Sequence, residues 1–287
     1  MTGQRKIFAA SGWKKWLVGD FTLRRLACSL IEVYLCILGW AWLFSDRIAF
    51  QPPEPTYAEG DGVYRIATPN GEHIAVLGLT NAAASQVVLY AHGNAEDIGC
   101  VRETLEPYRA AGFEIYTFDY RGYGLSDGSP STRKAYEDLD TLYRHLVEQK
   151  GIPPARLILH GRSLGAAVVL HVASRRPAAG VIVESAFLTA FRARTQIPVS
   201  PFDKMRNDRE IRRLNCPVLV IHGEDDQTIP TWQGKRLYAL AREPKSAYWA
   251  PQADHDDVLV SNEAEYWRQL RQFAASAGAL SRPQNRP

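Results

Sequence analysis

The sequence predicts an α/β fold: a mostly parallel sheet of eight strands with helices on both faces and a small insert, preceded by one N-terminal transmembrane helix. Three observations carry this expectation. Short β-branched runs alternate with helical stretches, the pattern of parallel strands joined by crossover helices. The first two strand-like runs lack a helix between them and are joined by Pro69-Asn70-Gly71, a hairpin signal. Near the N-terminus, residues 26–44 form an apolar run long enough to cross a bilayer core.

Residues 1–25 hold Arg5, Lys6, Lys14, Lys15, Arg24 and Arg25 against Asp20, a basic tail of net +5. The 287-residue chain carries +3 in total, so everything after the tail sums to about −2. That excludes a basic footprint for nucleic acid, and no nucleic-acid partner is expected.

The apolar run reads LACSLIEVYLCILGWAWLF, with Glu32 as its one charge, close to the N-terminal end. A carboxylate there costs a few kcal/mol on insertion scales, which the surrounding Leu, Ile and Val offset. Trp40 and Trp42 stand near the far end, as interfacial aromatics do. The basic residues precede the span, so the positive-inside rule puts the N-terminus in the cytoplasm and the large domain on the extracytoplasmic side. A signal peptide would need a small-x-small cleavage site after the run, and none follows. A retained single-pass anchor is therefore expected, ahead of a cleaved signal or a monotopic or core helix. Gln51-Pro52-Pro53-Glu54-Pro55 then gives a stiff, extended linker. The expected layout is a tail at 1–25, an anchor at 26–44 and one α/β domain at 48–278.

Within that domain, strands are expected at 63–68, 73–79, 86–92, 114–120, 157–161, 180–184, 218–222 and 247–250. Helices are expected at 101–111, 132–149, 164–174, 231–242 and 263–275. The sheet should open with an antiparallel pair and then become parallel. Cys28 and Cys36 lie in the apolar run. Cys100 and Cys216 have no metal-type spacing and read as separate small buried hydrophobes, able to pair only in an oxidising compartment.

The most informative stretch is LILHGRSLGAAVVLHVAS, an apolar strand running through Gly161-Arg162-Ser163-Leu164-Gly165 into a helix. This is G-x-S-x-G in the strand–turn–helix setting that gives the motif meaning. A serine on so sharp a turn needs glycines two residues away on each side, where side chains would collide. Ser163 is the candidate nucleophile. Downstream, the strand Pro217–His222 ends in Gly223-Glu224-Asp225-Asp226, and three acids compete to orient a base. His255, in the polar loop Ala253–Val258, is the one histidine after His222. The remaining histidines read as strand or helix residues, with His92 and His222 placed to hold backbone groups. In the order acid-then-histidine after the nucleophile, the oxyanion hole is expected from two backbone N–H groups. One belongs to Asn94, in the His92-Gly93-Asn94-Ala95 loop, and the other to Leu164; Gly93 is expected to permit the tight turn.

Several motifs occur together in one order: H-G-N-A, the block Phe118–Ser131 (FDYRGYGLSDGSPS), G-R-S-L-G, E-S-A-F at Glu184–Phe187, H-G-E-D-D-Q-T-I-P and A-D-H-D-D-V. In this the chain resembles α/β-hydrolases, most of all their serine-aminopeptidase-like branch and its small membrane-anchored, bud-emergence-related members. The resemblance covers residues from about 48 to 275. It implies the α/β-hydrolase fold and selects Asp226 over Asp225 and Glu224, because the usual H-G-x-x-D-x-x-[IV]-P arrangement puts the acid there. It implies a Ser163–His255–Asp226 triad cleaving esters or thioesters through an acyl-enzyme, with no metal or organic cofactor, on an acyl ester or lipid-like substrate. A monomer is expected. Some eukaryotic relatives remove palmitoyl groups from proteins, and most bacterial ones are uncharacterised esterases. Two other readings remain: an aminopeptidase-like amide hydrolase, for which Glu184 is the one acidic hint, and a non-catalytic membrane-bound scaffold. The arginines at 192, 194, 206, 209, 212 and 213 read as solvated faces of the small insert.

Overall fold

The computed structural model describes residues 23–60, 62–198, 200 and 203–280. Most of the expected basic tail thus lies outside the described residues. The chain divides into two units, one ending at Ser45 and one beginning at Asp46.

Helix α1 (Leu23–Ala49) covers 27 residues and extends past the expected 26–44 at both ends. No proline intervenes before Pro52, so nothing stops the helix until the linker. Among the described residues it is the one helix long and apolar enough to cross a membrane, and Leu30, Val33, Leu35 and Trp42 are exposed along it.

The second unit alternates strands and helices. Its elements are β1 (Val63–Ala67), β2 (His73–Leu79), β3 (Val87–Ala91), α2 (Ile98–Ala110), β4 (Glu114–Phe118), α3 (Thr132–Arg144), β5 (Leu157–Arg162), α4 (Leu164–Ala173) and β6 (Gly180–Glu184). Then follow α5 (Ala190–Thr195), α6 (Asn207–Glu210), β7 (Val218–Gly223), α7 (Trp232–Leu240), β8 (Lys245–Ala250), α8 (Val258–Ser261) and α9 (Glu263–Leu280). The strands form one eight-stranded sheet in the order β1-β2-β4-β3-β5-β6-β7-β8. The Pro69-Asn70-Gly71 turn joins β1 to β2 as an antiparallel hairpin, with Gly71 at φ 86°. β2 also runs antiparallel to β4, and the remaining pairs are parallel. The antiparallel part therefore extends one pairing further than the hairpin alone suggests.

Alternating side chains of β5 explain the two-sided core. Leu157 and Leu159 pack with Val168 and Leu139 on one face, while Ile158 packs with Leu105 and Phe273 on the other. Each such buried side chain contributes about 1.5–3 kcal/mol of transfer free energy. The sheet is covered on both sides, and the C-terminal ends of its parallel strands converge on one edge, where sites form in open α/β sheets.

The structure departs from two expectations. The helix expected over 132–149 is α-helical only to Arg144 and continues as a π-helical turn at His145–Gln149. Cys100 is exposed rather than buried, because it falls in the solvent-facing first turn of α2, and Cys216 is half-buried; both are free. Burial pushes the Cys216 thiol up to about 11, which leaves it protonated and a poor nucleophile. In the insert, Arg206 pairs with Asp208 at 2.7 Å and Arg213 with Glu210 at 3.5 Å, while Arg194, Arg209 and Arg212 are exposed.

Candidate active site

Ser163 stands between β5 and α4 at φ 53° and ψ −111°, a left-handed conformation that L side chains rarely adopt. The two motif glycines make that turn possible. A Cβ on Gly161 would collide with the Gly165 carbonyl, and one on Gly165 would collide with the Ala91 carbonyl of the neighbouring strand. The Ser163 N–H donates to the Glu184 carbonyl at 2.9 Å, fixing the turn to β6.

Two later loops come to this point. His255 Nε2 lies 3.0 Å from Ser163 Oγ, and His255 Nδ1 lies 2.8 Å from Asp226 Oδ2. Of the three competing acids, Asp226 is buried, whereas Glu224 and Asp225 are exposed. The other Asp226 oxygen accepts the N–H groups of Thr228 at 2.9 Å and Ile229 at 2.6 Å, so the carboxylate cannot swing away. Burial raises the Asp226 carboxyl, but hydrogen bonds from His222 and His255, the charge of His255 and the Ile229 N–H outweigh it and hold the group well below the usual carboxylate range. An ionised carboxylate only accepts, so His255 Nδ1 carries a proton and its neutral form presents Nε2 as an acceptor to the serine hydroxyl.

The loops interlock at the backbone. Gly223 has no room for a Cβ because the Ala253 carbonyl approaches it, and Asp225 N–H donates to that carbonyl at 3.0 Å. Asp254 Oδ1 accepts the N–H of Gln227 at 2.8 Å and of His255 at 2.7 Å, joining the acid loop to the histidine loop.

Asn94 follows β3 and Leu164 opens α4, so their N–H groups lie on the same edge as Ser163. Among the described residues neither N–H has a hydrogen-bond acceptor. The tight turn expected at Gly93 is made two residues later: Ala95 takes the positive φ of 56°. A Cβ at Gly93 would stand 2.8 Å from Glu96 Oε2 and 3.4 Å from Arg162 Nη2, so a side chain there would push on the Glu96–Arg162 pair.

The other histidines and the acidic hint at Glu184 have structural partners. His222 Nε2–H donates to the Ile229 carbonyl at 2.8 Å and lies 3.1 Å from Asp226 Oδ2, a second imidazole against the acid. His92 donates through Nδ1 to the Gly93 carbonyl at 2.8 Å. The Glu184 carboxylate is buried, and its Oε2 meets Tyr266 OH at 2.7 Å and His160 Nε2 at 3.1 Å, which ties it into the fold. Sequence reasoning missed Arg162, the variable residue inside G-x-S-x-G. Its guanidinium pairs with Glu96 of the Asn94 loop and, at 2.6 Å, with Asp256 beside His255, linking three loops. Partners 66 and 94 residues away give no local signal for such a pairing. Among the described residues no three His, Cys, Asp or Glu side chains cluster as metal ligands.

The comparisons agree with this architecture. Residues 82–205 match the family model described as serine aminopeptidase, S33. Alpha/beta hydrolase domain-containing protein 17B of Xenopus laevis is 29% identical over 265 residues, covering 80% of this chain and 90% of that protein. The human protein of the same name is 28% identical over 265 residues, with the same coverage of 80% and 90%. Among solved structures, the Pyrococcus furiosus esterase Pf2001 superposes with a TM-score of 0.66 at 16% identity, covering 79% of this chain and 98% of that one. The esterase RhEst1 of Rhodococcus sp. ECU1013 gives 0.60 at 20% identity, covering 75% and 99%. At such identities these structures speak to fold: the chain has the α/β-hydrolase fold, and over residues 82–205 it is similar to the serine-aminopeptidase family.

Proposed function

We propose that this hydrolase is a serine esterase or thioesterase, working by two-step acyl transfer and held to a membrane by α1. The observation that carries the reading is the unbroken line from Asp226 Oδ2 through His255 to Ser163 Oγ, at 2.8 and 3.0 Å. His255 takes the Ser163 proton as the hydroxyl attacks the acyl carbonyl, and Asp226 holds the imidazole in the tautomer that accepts it. The tetrahedral oxyanion receives the Asn94 and Leu164 N–H groups, each worth about 3–4 kcal/mol in comparable sites. The α4 N-terminus adds a favourable dipole at the same point. His255 then protonates the leaving alcohol or thiol. Water attacks the acyl-enzyme by the reverse path, releasing the acid and restoring Ser163.

The layout is a basic tail at 1–25, an anchor at 26–44 and a hydrolase domain at 48–278, with the tail on the cytoplasmic side. Against an amide-cleaving aminopeptidase stands the burial of Glu184, which removes the one acidic group nominated to meet a free amine. The test is fluorophosphonate labelling together with hydrolysis of a series of p-nitrophenyl esters and acyl thioesters. Labelling and turnover should both vanish in Ser163→Ala. Labelling that persists in that variant would move the nucleophile elsewhere.

A further inference from the structure

The densest motif in the chain, Phe118–Ser131, supplies none of the triad or oxyanion groups. Three of its side chains turn instead toward the loop that carries Asn94. Tyr120 OH donates to the His92 carbonyl at 2.8 Å, and Tyr123 OH donates to Asn94 Oδ1 at 2.8 Å. Asp119 Oδ1 accepts the Ile98 N–H at 2.9 Å, just beyond the same loop.

A second segment meets the same loop. The residues that leave α1 run across it as a strap. The Gln51 N–H is shared between Asn94 Oδ1 at 2.9 Å and Tyr123 OH at 3.0 Å. Five residues later, Thr56 N–H donates to Asp97 Oδ2 at 2.7 Å, and its hydroxyl bonds the other Asp97 oxygen. Tyr57 OH closes the strap onto Asp119 and accepts the Leu125 N–H at 3.1 Å. Phe50 seats the start of the strap, with its ring 6.4 Å from Tyr120 and 6.5 Å from Tyr123. The strap is thus tied to both ends of the span from Asn94 to Asp97.

We propose that Tyr123 and the Gln51 backbone are positioning groups for Asn94, so that the strap following the apolar helix completes the oxyanion hole. This rests on the reading of Asn94 as an oxyanion donor. The physical need is local. Ala95 holds a left-handed conformation that is strained in a non-glycine residue, so the loop requires outside ties to keep it. Two donors on one carboxamide oxygen fix the Asn94 side chain, and with it the direction of its own N–H. Tyr123 is fully buried, and burial pushes its phenol up, so its hydroxyl remains a donor across the working pH range.

The experiment uses the full chain in detergent, with Tyr123→Phe and Gln51→Pro; each removes one donor and leaves the triad intact. The readouts are kcat and KM for p-nitrophenyl butyrate, and affinity for an alkyl trifluoromethyl ketone, whose serine adduct carries an oxyanion. Misaiming a donor without deleting it should lower kcat and ketone affinity in parallel by about tenfold, with KM held within about twofold. Unchanged kcat and ketone affinity in both variants would overturn the proposal, as would a rise in KM at constant kcat. If the wild type turns over no ester, the proposed function fails on its own, and amide exchange over residues 92–97 decides this inference. Faster exchange in both variants supports it, and unchanged exchange refutes it.

Discussion

Two buried histidine–carboxylate pairs lie near the C-terminal ends of neighbouring strands, and they differ in where the chain of hydrogen bonds ends. In one, His255 leans on Asp226 at 2.8 Å and offers its other nitrogen to Ser163. In the other, His160 lies 3.1 Å from Glu184, and its second nitrogen meets Tyr108 OH at 2.9 Å. Tyr108 OH touches Tyr266 OH at 2.8 Å, and Tyr266 OH returns to Glu184 at 2.7 Å, closing a ring of four side chains. The ring leaves every proton with a partner inside the fold. The open pair ends on a hydroxyl in a strained turn at the sheet edge. An acid and an imidazole at bonding distance are therefore not themselves catalytic machinery; the open end is what distinguishes them.

The largest expected effect separates the two histidines. His255→Gln should lower kcat by about 10⁴-fold or more while leaving the thermal midpoint nearly unchanged. His160→Gln should do the reverse. It leaves a buried carboxylate without its imidazole, at a cost of about 3 kcal/mol in denaturant unfolding, with turnover per folded molecule within a few-fold. Equal losses of turnover in the two variants, measured well below both midpoints, would erase the distinction.

Next come the acids. Asp226→Asn should lower kcat by about 10⁴-fold, because an amide no longer favours the tautomer with the proton on Nδ1. Asp225→Asn should change it by less than about twofold, since its side chain faces water. The opposite ranking, from steady-state kinetics of the two variants, would break the geometric assignment.

The first of these pairs was legible in the chain, and the second was not. Ser163 announces itself because the turn that exposes it demands glycine on both sides, and His255 because one histidine follows the last central strand. Asp226 needed the family resemblance, since Glu224, Asp225 and Asp226 share one loop and burial alone separates them. The strands were readable from their β-branched runs because both faces of the sheet are covered. The ring around Glu184 was not legible: Glu184 stood out only as an acidic hint, and its partners, spread from Tyr108 to Tyr266, each look like an ordinary core or helix residue. The motif around Tyr120 and Tyr123 was visible as specific, but its purpose is tertiary. Gly93 and Ala95 show the same limit, because which residue takes the positive φ depends on what crowds it.

A moderate effect belongs to the ring alone. Tyr266→Phe removes one hydroxyl that donates to Glu184 and should cost about 1–2 kcal/mol of stability, read from the denaturant midpoint. No change in kcat is expected. A loss of turnover larger than the loss of folded protein would mean that the ring communicates with Ser163 through the Glu184 carbonyl.

The smallest effect is a slope. Burial raises the Glu184 carboxyl, but the hydrogen bond and charge of His160, the Tyr266 hydroxyl and the charge of Arg162 bring it below its ordinary value. A carboxyl lowered in the folded state contributes stability above its unfolded pKa of about 4.3, and that contribution fades as pH falls below it. Asp226 acts with the same sign. The midpoint of wild type should therefore drop more steeply between about pH 5 and pH 3 than that of Glu184→Gln, which has no such proton to gain. A shallower acid limb for wild type than for Glu184→Gln would show that Glu184 is already protonated in the ring, and the closed pair would then be a neutral hydrogen-bonded cluster rather than the buried counterpart of His255 and Asp226.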